Sequence, residues 1–177
     1  TLLYVDDALC VSEHPEAQLE ELNKYFLLKP GSIQPPKLYL GAKTAQTQLP
    51  NGTVAWEISA SKYIQDAVNT TERKLEEYGM QLTVKANAPI TKDYRPEIDV
   101  STELDPDKST LYQSLIGSLR WMVEMGRLDI ACEVSMLSSF LAMPREGHLQ
   151  QVLHIFSYLK YHHNSRIVMD PTYPDIK

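Results

Sequence analysis

Cysteine is nearly absent from this 177-residue chain, which holds only Cys10 and Cys132. Two thiols far apart in apolar stretches build neither a disulfide framework nor a metal site, so they read as reduced core residues in a reducing compartment. The sites Asn51-Gly52-Thr53 and Asn69-Thr70-Thr71 then carry no glycan. Long apolar runs are missing too. None approaches the roughly 20 residues a membrane helix needs, and the Leu-rich start is too short and lacks the basic flank of a signal peptide. A soluble intracellular chain is the expectation. Basic charge is also scarce, with 17 Lys and Arg against 23 Asp and Glu for a formal net charge of -6, which argues against indiscriminate binding to nucleic acid.

What is there is ordinary for a globular protein: 43% hydrophobic and 23% charged residues, enough to bury a core in one or two compact units. The charge is unevenly spread. Residues 1–107 hold 10 Lys and Arg against 17 Asp and Glu, whereas residues 108–168 hold 6 against 4, a mild basic excess that predicts no phosphate-binding patch on its own. The first residue is Thr, inside a stretch that reads as a strand, so the chain is expected to be a fragment of something larger.

The organising stretch is Leu2-Leu3-Tyr4-Val5-Asp6-Asp7-Ala8-Leu9-Cys10-Val11. Two apolar runs flank a pair of residues that tolerate turn geometry, which predicts a short hairpin with Asp6 and Asp7 at or beside its tip. Adjacent carboxylates repel and raise each other's pKa, so an apolar hairpin displaying both is destabilised unless a cation neutralises them. Magnesium suits such a pair, being a hard ion that takes one or two carboxylates and leaves its other positions to water and phosphate oxygens. An ordinary surface hairpin with Asp as turn former is the plain alternative.

Further along, residues 15–28 read as a helix with Pro15 in its first turn and Leu19, Leu22 and Phe26 on one face, packing on the sheet behind the aspartates. Lys29-Pro30-Gly31 ends it. Residues 37–43 alternate as a strand that ends near Gly41, and residues 53–58 form another after the Asn51-Gly52 turn, giving a small antiparallel sheet. A helix capped by Ser59 or Ser61 runs to Tyr78, with Gly79 as its stop. Residues 87–107, with Pro89, Pro96 and Pro106 and little apolar periodicity, read as an exposed linker without catalytic residues. Three helices follow, over 109–125, from 127 to Leu141 and from 145 to about His162, and the tail 166–170 could add a last strand. His148, His154, His162 and His163 fit no metal-ligand spacing and read as solvated or capping.

In the helix over 109–125, Leu111, Leu115, Ile116, Leu119, Met122 and Val123 make a buried stripe, while Gln113, Gly117 and Trp121 recur at i, i+4, i+8 on another face. A glycine inside a helix costs roughly 1 kcal/mol relative to alanine, so something should approach the backbone at Gly117. An amide, a bare backbone and an aromatic in one line suit the minor groove of a duplex, which is read by shape, sugar contact and stacking. Close helix packing at Gly117 with Trp121 in the core is the alternative.

Tyr4-Val5-Asp6-Asp7 resembles the Tyr-x-Asp-Asp box of reverse transcriptases, with the Val usual in those of copia-type LTR retrotransposons. The resemblance extends over residues 2–168, through Lys62-Tyr63-Ile64, Gln113, Gly117 and Trp121, Arg127-Leu128-Asp129-Ile130-Ala131, Pro144 and His148, and Tyr158-Leu159-Lys160. Leu128 stands where the family usually has Pro. The resemblance implies an RNA-directed DNA polymerase in which Asp6 and Asp7 hold two Mg2+ ions in the complete enzyme and Tyr4 and Val5 shape the floor under the primer end. It implies that Lys29 donates a proton to departing pyrophosphate, that Leu38, Tyr39, Leu40 and Gly41 form a primer grip, and that Gln113, Gly117 and Trp121 touch the primer-template. As plain residues, Lys29 is equally a solvated lysine and Leu38, Tyr39 and Leu40 plain core.

The expectation is therefore an α+β fragment: residues 1–58 as the end of a polymerase palm with its catalytic hairpin, 59–107 as support helix and linker, and 108–177 as a helical thumb and connecting region. The resemblance further implies a third carboxylate on a strand before the chain begins, fingers and RNase H portions elsewhere in the polyprotein, RNA/DNA primer-template and deoxynucleoside triphosphates as partners, no membrane, and a cytoplasmic retrotransposon particle as location. The chain alone is expected to be inactive. A non-catalytic retroelement remnant, whose helical half binds nucleic acid or a protein, is the second reading.

Overall fold

A computed structural model describes residues 2–4, 7–82 and 85–172 of the chain. The apolar runs flanking the aspartates pair as an antiparallel hairpin of β1 (Leu2–Tyr4) and β2 (Asp7–Leu9), in the register Leu2 with Leu9, Leu3 with Ala8 and Tyr4 with Asp7. The link between them is Val5 and Asp6, which lie outside the described residues. Helix α1 (Pro15–Asn23) starts at proline as expected but stops five residues short, because the Asn23 side-chain oxygen accepts the Leu28 N–H at 2.9 Å and turns the chain out. It buries no residue, and Leu27 beyond it is 99% exposed. The expected packing of this helix on the sheet is thus not seen.

The expected strand over 37–43 is instead a hairpin. β3 (Leu38–Tyr39) pairs with β4 (Ala42–Gln48) across a two-residue turn in which Leu40 and Gly41 both have positive φ, 50° and 88°. Two consecutive left-handed residues are what a tight hairpin with the right twist requires. β5 (Val54–Ser59) pairs with β4 after the Asn51-Gly52 turn, and β6 (Ile167–Met169) closes the far edge against β5, so the sheet order is β3-β4-β5-β6, all antiparallel. The tail strand is therefore real, drawn back to the sheet across the length of the chain.

Helix α2 (Ser61–Glu77) buries Ile64, Val68, Thr71 and Leu75 at i, i+4, i+7 and i+11, and Gly79 follows with φ 64°. Its N-cap is Ala60, with the Ser59 hydroxyl accepting the Ser61 N–H at 3.4 Å. Helix α3 (Pro106–Glu124) begins at proline, capped by the Asp105 carboxylate, which accepts the Lys108 N–H at 2.8 Å. Between α3 and the next helix the chain makes a 3-10 turn, Leu128–Ile130, so that α4 covers only Ala131–Ser138. Helix α5 (Glu146–Tyr161) is the spine: Leu149, Val152, Leu153, Ile155, Phe156 and Leu159 are all buried. The main core cluster draws on α2, α3, α4 and α5 and reaches the sheet at Ala42. The fold is mixed α+β. Cys132 is exposed and Cys10 half-buried, so neither is the core residue expected: Cys132 falls on the outward side of α4, opposite Val134 and Leu137.

The linker over 87–107 also departs from expectation. It is a strap tied along α5. His154 Nε2 donates to the Ala88 carbonyl at 3.0 Å, Gln151 Nε2 to the Pro89 carbonyl at 3.1 Å and His148 Nε2 to the Pro96 carbonyl at 3.0 Å. A proline-rich segment cannot satisfy its carbonyls in a helix or ladder, and three side chains of one helix do so instead. His148 is buried, and its Nδ1 accepts the Arg145 N–H at 3.1 Å. An amide can only donate and a carbonyl only accept, so these partners select the neutral Nε2–H tautomer. This histidine caps the helix as expected but is not solvated.

At the start of α5, Asp99 of the strap accepts the Ser101 N–H at 2.8 Å, the Ser101 hydroxyl at 2.5 Å and the Tyr94 hydroxyl at 2.9 Å. Burial alone would raise its pKa, but these donors win and hold it below the ordinary carboxylate range. A Cβ added at Gly147 would overlap this carboxylate. Gly147→Ala should therefore push the strap off the first turn of α5 and lower stability by about 1–3 kcal/mol, as overpacking does. Denaturant unfolding reads the loss, and hydrogen exchange should place it in residues 94–101; an unchanged midpoint would mean that the strap does not press on α5.

Candidate functional site

The hairpin puts Asp7 at the first position of β2, directly across from Tyr4. The donor set is chemically apt for magnesium, since Asp6 and Asp7 are hard oxygen ligands, and Asp6 itself lies outside the described residues, as does Val5. Among the described residues no group of three or more His, Cys, Asp or Glu stands close enough to hold a metal ion. β2 leads into a cleft of ≈490 Å³ between the hairpin with α1 and one face of the four-stranded sheet, lined by Leu9, Val11, Leu19, Trp56, Ile58 and Met169 among others. Hairpin and sheet thus both line one cleft.

A Cβ at Gly41 would meet Met125 Sδ at 4.0 Å, and the Met125 N–H donates to the Trp121 carbonyl at 3.0 Å. The structure therefore brings the β3–β4 turn to the Trp121 end of α3. Leu38 is exposed, while Tyr39 and Leu40 are half-buried, so these three are not plain core. Lys29 is exposed in the loop after α1, where its carbonyl accepts the Ser32 N–H at 3.0 Å.

On α3, Gln113 and Gly117 are exposed and Trp121 is half-buried against the core cluster. A Cβ at Gly117 would meet nothing within 4 Å. Close helix packing is therefore not why glycine stands there; the backbone is open to solvent on that face. Gln113 Nε2 donates to the Leu141 carbonyl at 2.9 Å, tying one edge of the face to the turn after α4. The opposite edge meets α2, where Lys74 Nζ donates to the Ser114 hydroxyl at 3.4 Å.

The sequence boxes later in the chain turn out to be one structural knot. Arg127 is 1% exposed, and its Nε and Nη2 donate to the two Asp129 oxygens at 2.8 and 2.7 Å. The Tyr158 hydroxyl donates to the same Asp129 carboxylate at 3.0 Å, and the guanidinium lies over the Tyr158 ring, 5.8 Å from its centroid. Burial pushes the Asp129 pKa up, but the Arg127 hydrogen bonds and charge and the Tyr158 bond outweigh it and leave it lowered. Lys160 Nζ reaches Glu72 of α2 at 2.7 Å. Leu128, between the paired residues, is 69% exposed and takes no part. The Arg-x-Asp box was legible as a motif; its role needed the partner 29 residues later.

No family model matches the chain, and no solved structure does. A putative transposon Ty5-1 protein of Saccharomyces cerevisiae is 29% identical over 161 residues, 89% of this chain and 47% of that protein. The retrovirus-related Pol polyproteins from transposon TNT 1-94 of Nicotiana tabacum and from transposon RE1 of Arabidopsis thaliana are 30% and 31% identical over 166 residues each. This chain is a distant relative of copia-type retrotransposon Pol polyproteins. It spans about half of the Ty5-1 protein, 47%, and 12% and 10% of the two polyproteins, while 89–90% of the chain itself is matched. The relation therefore extends over most of the chain. Among the described residues no helix is long and apolar enough to cross a membrane.

Proposed function

We propose that this chain is the segment of a copia-type reverse transcriptase that runs from the catalytic hairpin of the palm through the thumb and connecting region. The observation that carries the reading is the hairpin register: Tyr4 faces Asp7 across the ladder, so a Tyr-x-Asp-Asp box is mounted on a hairpin in a relative of retrotransposon Pol polyproteins. Asp6 and Asp7 would hold magnesium, which when bound supplies activation of a primer hydroxyl and neutralisation of triphosphate charge. Tyr4 and Val5 support the primer end from the hairpin, and the Leu40-Gly41 turn holds it from the sheet. Lys29 is the proton donor to pyrophosphate in this scheme. The exposed face of α3 receives the primer-template, with Gly117 admitting the groove to the backbone and Gln113 and Trp121 contacting sugars and bases. The site works in a retrotransposon particle, on RNA/DNA primer-template and deoxynucleoside triphosphates, together with the other parts of the polyprotein.

The test is processivity. In a polymerase restored to full length, Gln113→Ala and Trp121→Ala should each weaken the hold on primer-template by about 1 kcal/mol, roughly fivefold faster release, and shorten products accordingly while the unfolding midpoint holds. Trp121→Ala that unfolds the protein with no change in product length would make Trp121 a core residue only. The remnant reading draws on the same face, since the core cluster among the described residues begins at Ala42 and leaves the hairpin out; duplex binding without synthesis by the full-length protein would favour it.

A further inference from the structure

The solvent face of α3 has a definite order around the helix axis. At about 100° per residue, Gly117 stands about 40° and Trp121 about 80° from Gln113, with Ser114 about 100° round on the Trp121 side. Arg120 lies about 20° beyond Gln113 on the other side. Arg120 is exposed, and so is Lys74, which reaches across from α2 to the Ser114 hydroxyl at 3.4 Å. Six of the cations, Lys62, Lys108, Lys160, Arg127, Arg145 and Arg166, are neutralised in ion pairs. Lys74 and Arg120 make no ion pair among the described residues. The line of Gln113, Gly117 and Trp121, neutral throughout, is thus bordered by one cation on each edge. Glu124, at the end of the helix, stands about 20° from Gln113, one turn past Trp121 and four residues after Arg120, while Asp107 lies in the first turn about 120° round.

The geometry points to Lys74 and Arg120 as phosphate contacts, one to each strand of a nucleic-acid duplex whose minor groove lies on the line between them. This rests on the reading of α3 as a duplex-binding face. A groove is bordered by two phosphate backbones, so a helix that lies in it meets negative charge on both flanks and apolar or neutral surface in the middle. The arrangement on α3 and α2 has that order. Lysine on α2 acts as a point charge with reach, while arginine on α3 can take a phosphate with two parallel hydrogen bonds. The neutral line fits the groove, and the cations fix where along the two strands the helix sits.

The experiment is binding of the 177-residue chain to a short fluorescent RNA–DNA hybrid, titrated at several salt concentrations. Each phosphate contact adds about 0.9 to the slope of log affinity against log salt. Lys74→Ala and Arg120→Ala should each reduce that slope by about one, so that each variant loses roughly threefold less affinity than the parent between about 50 and 200 mM salt. Lys74→Arg and Arg120→Lys should keep it. Gly117→Leu should weaken binding without changing the slope. If the parent binds and the two alanine variants keep its slope, Lys74 and Arg120 are not phosphate contacts, while the duplex-binding reading of α3 stands. If the parent shows no binding to the hybrid even at low salt, that reading falls and this inference with it.

Discussion

Asp129→Ala should destabilise the chain by about 3 kcal/mol, while Arg127→Met should cost distinctly less. Removing one partner of a buried ion pair leaves an uncompensated charge, which is worth about 3–5 kcal/mol, whereas replacing the buried ion by an apolar side chain of similar volume is often near neutral. Arg127 is the buried member, with its side chain 2% exposed against 34% for Asp129, so the asymmetry has a direction. The lower end of the range applies because solvent reaches Asp129 and screens it. The same pair sets the acid limit. The Asp129 carboxylate has a folded-state pKa below its unfolded value, as does that of Asp99. Such groups contribute stability that is present above the unfolded pKa, about 4, and lost as pH falls through the folded value. Stability should therefore fall steeply below about pH 4, and Asp129→Asn should flatten part of that fall. Equal losses for Asp129→Ala and Arg127→Met, measured by denaturant midpoints at neutral pH, would show that the pair is not the buried charge described above.

This knot explains why the helical part was legible in the sequence in pieces but not as a whole. The buried stripe of α3 is readable from spacing alone: Leu111, Leu115, Ile116, Leu119 and Met122 are buried, and Val123 is half-buried at its margin. Spacing puts its start at Ser109 and leaves Pro106 among the linker prolines, although Asp at the cap followed by Pro at the first position is itself a start signal. In the sequence the strap reads as exposed because nothing local satisfies its carbonyls. Their partners, His148, Gln151 and His154, lie 52 to 66 residues away, and side-chain hydrogen bonds over that separation leave no periodicity to find. The break at Leu40 is of the same kind. Leucine rarely adopts a positive φ, so only the pairing of β3 with β4 reveals the turn.

The candidate site divides along the same line. Gly117 announced itself, because a glycine in a strong helix needs a reason, and open space over it leaves approach from outside as the reason that fits. Lys74 did not, since it joins the α3 face from another helix. Leu38, Tyr39, Leu40 and Gly41 were read as one strand, yet it is their turn that reaches Met125 and hence the Trp121 end of α3.

The chain by itself should not extend a primer with magnesium and nucleotides, although it carries the Asp6-Asp7 pair. In-line transfer with two ions needs them held about 4 Å apart, and two carboxylates adjacent in sequence bind an ion weakly without a third ligand opposite. Much of the rate comes from positioning, which a two-stranded hairpin by itself cannot supply. β1 and β2 form a two-stranded sheet by themselves, α1 buries no residue, and a cleft separates both from the larger sheet. An isolated two-stranded hairpin is marginally stable at best, and unpaired strand edges favour aggregation. Amides of residues 7–23 should accordingly exchange with solvent far faster than those of α3 and α5. In a full-length polymerase the hairpin would gain neighbouring strands, synthesis should return, and Asp6→Asn should abolish it with a loss of at least about a thousandfold, the scale expected for removing a group that stabilises charge in the transition state. Template-dependent extension by the 177-residue chain alone would overturn this account of the active site. Full-length enzyme that keeps its rate with Asp6→Asn would remove Asp6 from the metal site.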